Sequence, residues 1–214
     1  MVDKHLLRFL HEQLLIQLGY IFSEHDTAGL LFEGSSPDIR YYDGSTSHTT
    51  SPALRDTSAW YHVVMSAASG TNNIILYVNG TNVFAGDEGT GSMTVNTNII
   101  HTIGKRSSGS SSYFNGYMAN IHFIDGHALN PNYFAKTDTA TGAWIPKEFD
   151  GTSSTGGANA NGANPSNAAG YDTLYGINGF HLDFRASSLV YSGSTLSTVN
   201  DVSGRTTPNN WTAN

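Results

Sequence analysis

The sequence contains no cysteine, which excludes disulfide staples, thiolate zinc sites, iron–sulfur clusters and cysteine nucleophiles. Charge is scarce as well: 13% of the 214 residues are Asp, Glu, Lys or Arg, about half the usual share. The 10 Lys and Arg are outnumbered by 17 Asp and Glu, for a formal charge of −7. Cations this few and scattered form no phosphate-neutralising stripe, so nucleic acid is not an expected partner. No apolar run reaches the roughly 18 residues that a membrane-crossing helix needs, and no membrane insertion is expected. The opening MVDKHLLRFLHEQLLIQLG is interrupted by His11, Glu12, Gln13 and Gln17 and meets no small-residue cleavage site. It does not read as a signal peptide. What abounds is Gly, Ser, Thr and Asn, 88 residues in all. Such a composition suits turns and polar-faced strands and excludes a helical bundle. The 38% hydrophobic and 11% aromatic content is enough for a core and excludes global disorder.

Leu6, Leu10, Leu14 and Leu18 recur every four residues, with Leu7 and Ile16 widening the stripe. This spacing predicts a short N-terminal helix over 3–18, capped by Asp3 and ended by Gly19. From Tyr20 the pattern turns to short aromatic and β-branched segments separated by turn residues: 20–23, 30–33, 39–42, 60–66, 74–78, 82–85, 99–103 and 118–124. Antiparallel sandwiches are written this way. Asn79-Gly80 tolerates the positive φ angles of a type I′ turn, so Ile74–Val78 and Thr81–Ala85 should form a hairpin. Residues 107–112 read as a loop. Residues 151–170 hold nothing larger than alanine and Pro165 among their apolar side chains and read as a long Gly/Ser/Asn-rich connection. The expected organisation is a leucine-rich leader (1–19), a β-sandwich body (20–150), the connection, and an extension (171–214) with strands near 180–184 and 189–191. That extension either completes the first sandwich or begins another.

The stretch WYHVVMSAASGTNNIILYVNGTNVFAG resembles the laminin-G/pentraxin-like branch of the concanavalin A-like jelly rolls. There a Trp-x-His-Val strand precedes a Leu-Tyr-Val-Asn-Gly hairpin. IGKRSSGSSSYFNGYMANIHFIDGHALNPNYF looks like the closing strands of that family. GYMANIHFIDGHALNPNYFAKTD, TGAWIPKEF and YGINGFHLDF, followed by a DxSG…NNWT loop, are similar in content and order to laminin-G-like domains of bacteriophage tail-fibre and virion proteins. The resemblance implies an all-β antiparallel sandwich with a loop-rich C-terminal extension. It also implies a virion-surface or extracellular setting, and as partners a glycan or cell-surface polysaccharide, other virion subunits, or further copies of the chain. Two departures stand out: the leucine-rich first twenty residues replace the usual aromatic opening strands, and Trp211–Asn214 end where the family normally continues.

A jelly-roll glycosidase would carry Glu-x-Asp-x-x-Glu on one strand, setting its carboxylates on one face. None of Glu12, Glu24, Glu33, Glu88 and Glu148 has that spacing. Nor is there a Gly-x-Ser-x-Gly elbow. The leading expectation is therefore a non-enzymatic recognition or structural module. The alternatives are a glycan- or ester-cleaving jelly roll with an unrecognised constellation and a purely architectural virion subunit. Sugar recognition needs aromatic faces beside amide and hydroxyl groups. The candidates are Tyr41, Tyr42, Tyr113, Asn115, Tyr117 and Asn120, with Phe114, Trp60, Trp144, His62 and His122 read as packing residues. The family resemblance adds rim Ca²⁺, for which Asp43, Asp87, Glu88 and Asp125 are the carboxylates on loops.

Overall fold

The structure is a computed structural model and describes residues 8–10, 19–24, 28–33, 38–42, 44, 47–49, 54, 56, 58–67, 73–87, 98–108, 112–150 and 174–213. Turn-rich, alternating sequence has become short strands. The first nine are β1 (Arg8–Leu10), β2 (Gly19–Glu24), β3 (Ala28–Glu33), β4 (Asp38–Tyr42), β5 (Ser47–Thr49), β6 (Tyr61–Ala67), β7 (Asn73–Val78), β8 (Thr81–Asp87) and β9 (His101–Ile103). The remainder are β10 (Tyr117–Ala119), β11 (Ile121–Phe123), β12 (Ala135–Thr137), β13 (Trp144–Pro146), β14 (Phe180–Leu182), β15 (Leu189–Ser192), β16 (Thr195–Val199) and β17 (Trp211–Thr212). Two five-stranded sheets have the orders β5-β4-β3-β2-β9 and β10-β1-β6-β7-β8. The only helical turns among the described residues are two 3₁₀ turns, Pro131–Tyr133 and Ala186–Ser188. The chain is all-β and antiparallel, as its composition requires.

The described residues fall into two compact units, one within 9–61 and 65–117 and the other within 1–8, 62–64 and 118–214. In the first unit, β4 buries Ile39 and Tyr41 and turns Asp38, Arg40 and Tyr42 the other way, while β7 buries Ile74, Leu76 and Val78. Period-two alternation of this kind gives each sheet one apolar face. Those faces meet: the His48 ring of β5 lies 5.5 Å from the Phe84 ring of β8 and stacks on Tyr41. The hairpin at Asn79-Gly80 forms as predicted, with φ of 49° and 83° and Val78 opposite Thr81. Gly29 has φ of 151°, and a Cβ there would lie 2.3 Å from the Phe22 carbonyl oxygen. Only glycine lets β2 and β3 approach so closely at their bulge.

In the second unit, β11 pairs with β14, β12 with β13, and β15-β16-β17 form a three-stranded sheet. The Asn130 side chain caps the first 3₁₀ turn by accepting from the Asn132 N–H, and Pro131 fixes its φ. That turn delivers Tyr133 and Phe134 to a core with Leu129, Phe149 and Tyr175.

Two expectations need correction. Residues 8–10 lie in a strand, not a helix; the rest of the expected helix over 3–18 lies outside the described residues. Backbone pairing within a sheet outweighs the local leucine periodicity there. The single strand expected over 118–124 is two strands, because Asn120 adopts a left-handed φ of 52° and breaks the ladder. The connection over 151–170 also lies outside the described residues.

Candidate functional site

The expected sugar-binding residues divide by burial. Tyr41 is fully buried, sharing the inward face of β4 with Ile39, and Asn120 is buried at its corner. Tyr42 is partly exposed and its hydroxyl donates to the Gly44 carbonyl at 2.8 Å. Tyr113 and Tyr117 are 49% and 54% exposed, and Asn115 between them is exposed as well, whereas Phe114 and Gly116 are only partly so. The two tyrosines and the asparagine are thus exposed in the irregular segment that leads into β10, with a bend at Gly116. Tyr117 opens β10, the terminal strand of its sheet.

This segment is tied to the loop after β9. The Phe114 N–H donates to the Gly104 carbonyl at 2.8 Å, and the Gly104 N–H donates to the Ile21 carbonyl at 3.0 Å. The Thr102 hydroxyl donates to the Lys105 carbonyl at 2.8 Å. Beyond Arg106, the Ser107 N–H donates to the Oγ of Ser23 at 3.1 Å. Ser23 is itself fully buried, and its hydroxyl lies 3.3 Å from the Ala28 carbonyl. Lys105 and Arg106, the one adjacent pair of cations in the sequence, therefore sit between two pinned points beside the exposed tyrosines. The arrangement offers flat aromatic surface, an amide and cationic groups on fixed backbone.

Asp43 and Glu88 lie outside the described residues, and Asp87 is the last residue of β8. Asp125 accepts the Asn178 N–H on Oδ2 at 3.0 Å, holding the turn before β14. Among the described residues there is no group of three or more His, Asp or Glu able to hold a metal ion. The packing residues also separate. Trp60, expected as a core or hinge anchor, is 38% exposed and directly precedes β6. Trp144 donates its indole N–H to His62 Nδ1 at 2.9 Å. His62 is buried, and burial holds its imidazole down at about 4. Val190 and Tyr191, both exposed, lie in the strand expected near 189–191 and were not among the candidate site residues.

The family described as the concanavalin A-like lectin/glucanases superfamily matches residues 16–133, more than half of the chain. Among curated proteins none matches. A crystal structure of a "putative carbohydrate binding protein from Bacteroides ovatus" is similar, with a TM-score of 0.56 and 15% sequence identity. The likeness covers 97% of this chain and 52% of that one, so the chain spans about half the length of the structure it matches. No helix among the described residues is long and apolar enough to cross a membrane.

Proposed function

The chain belongs to the concanavalin A-like lectin/glucanases superfamily, and from that membership we propose that it is a non-enzymatic carbohydrate-binding module. The observation that carries this reading is the exposure of Tyr113, Asn115 and Tyr117 around the Phe114 amide, which donates to the Gly104 carbonyl. Tyrosine rings stack on the apolar faces of pyranose rings while the amide reads hydroxyls. The carbohydrate-binding description of the similar Bacteroides ovatus protein supports it. The resemblance of its motif order to bacteriophage tail-fibre domains favours a virion surface as the setting and a cell-surface polysaccharide as the partner. Individually weak sites gain strongly there from multivalent display.

The test is retention of the purified chain on bacterial, algal and plant polysaccharides, with Ca²⁺ and with EDTA, while reducing ends and unsaturated products are assayed in the same samples. At least one polymer is expected to retain the chain without product release. Tyr113→Ala and Tyr117→Ala should each weaken retention by about tenfold, the equivalent of about 1.4 kcal/mol, with unchanged thermal unfolding. Products would overturn the reading, as would undiminished binding in the double variant.

A further inference from the structure

Away from the exposed tyrosines, the densest group of titratable rings lies where β11 meets β14. The register sets His122 directly opposite His181. Their imidazoles stack with centroids 4.0 Å apart and planes 17° from parallel. The Tyr175 hydroxyl hydrogen-bonds His122 Nδ1 at 2.7 Å, and its ring lies parallel to that of His181, 6.2 Å away. Phe134 and Phe149 flank His122 at 5.5 and 6.2 Å. His181 is buried. Burial, with Asp201 and Glu148 nearby, pushes the Tyr175 phenol up, so it stays protonated and neutral at any working pH.

The charged groups around the pair are of both signs. Asp201 accepts the His181 backbone N–H at 2.9 Å and Glu148 acts on the neighbouring Tyr175; burial works against ionisation of Asp183, but the Ser188 hydroxyl, the Arg185 amide and the Arg185 guanidinium 3.3 Å away hold its carboxyl low. A second proton would put two like charges on rings in van der Waals contact, packed against phenylalanine, where water screens them poorly. Interacting sites of this kind titrate in two steps that belong to the pair.

We propose that the His122–His181 stack is an acid-sensitive latch: the strands stay paired while the stack carries at most one positive charge, and charging of both rings opens β11 from β14. Among the described residues, this is the strand pairing that joins 118–150 to 174–213. Opening would therefore loosen β14 together with the turn that Asp125 holds through Asn178.

The latch is tested on the full chain by hydrogen exchange at pH 7 and pH 5, corrected for intrinsic rates, alongside an NMR titration of the two imidazoles. The expected result is two titration steps at least about one pH unit apart. The second should coincide with a loss of protection of about tenfold or more at 121–123 and 180–182. His181→Phe keeps a stacking ring without a charge and should stay protected at pH 5, whereas His62→Phe should open like the parent. Independent titration of both rings with protection retained at pH 5 would overturn the latch, as would equal opening in His181→Phe. If His181→Phe does not fold, the titration and exchange of the unaltered chain decide alone.

Discussion

His62 illustrates how a single donor fixes the state of a residue. An indole N–H can only donate, so His62 Nδ1 must accept, and the ring carries its proton on Nε2 when neutral. Charging this ring would cost both that bond and its desolvation. In the unfolded chain the imidazole titrates near 6.5, and in the fold it does so at about 4. Between those values the unfolded state binds the proton first, so stability falls as pH drops from about 6.5 to 4 and is fully present above. The shift corresponds to about 3 kcal/mol. Denaturant unfolding at pH 7.5 and pH 4.5 should show His62→Phe less stable than the parent at the higher pH, with a smaller loss on acidification. An equal acid loss in both proteins would show that the lability resides elsewhere.

At the scale of elements, one carboxylate organises the loop over 201–210. Asp201 Oδ1 accepts the N–H groups of His181 and Ser203, and Oδ2 accepts that of Asn209, all at 2.9 Å. The Asn209 side chain then donates to the Gly179 carbonyl at 2.9 Å. Removing the acceptor strands three amides at once. Asp201→Ala is expected to cost about 3 kcal/mol in urea unfolding, with Asp201→Asn intermediate. A loss below about 1 kcal/mol would mean that solvent replaces the carboxylate.

The same scale shows what was legible beforehand. Strands with aromatic or β-branched runs, such as Ile74–Val78 and its Asn79-Gly80 turn, declare themselves through periodicity and turn chemistry. Ser47–Thr49, Thr195–Val199 and Trp211–Thr212 are too polar or too short to do so, and pairing with a neighbour alone makes them strands. Tyr41 was misplaced as a surface residue although it follows Ile39 by two and so shares its buried face. Tyr113, Asn115 and Tyr117, expected near loops and strand ends because polar turn residues surround them, are exposed. The His122–His181 stack was not, because the two residues meet only through a pairing across 59 positions of sequence.

For the whole molecule, the loop bearing Lys105 and Arg106 has a consequence for how recognition can change. Its described fastenings are the N–H and carbonyl of Gly104, the carbonyl of Lys105 and the N–H of Ser107, met by Thr102, Ser23, Ile21 and Phe114. None of these bonds uses the side chain of Lys105 or Arg106. Lys105→Ser should therefore shift stability by less than about 0.5 kcal/mol, whereas Ser23→Ala, which withdraws a buried acceptor from outside the loop, should cost about 1–2 kcal/mol. Comparable urea midpoints for the two variants would refute this division of labour. The fastenings of this loop and the side chains it displays are thus separately mutable: the exposed chemistry can change while the scaffold beneath goes on folding as before.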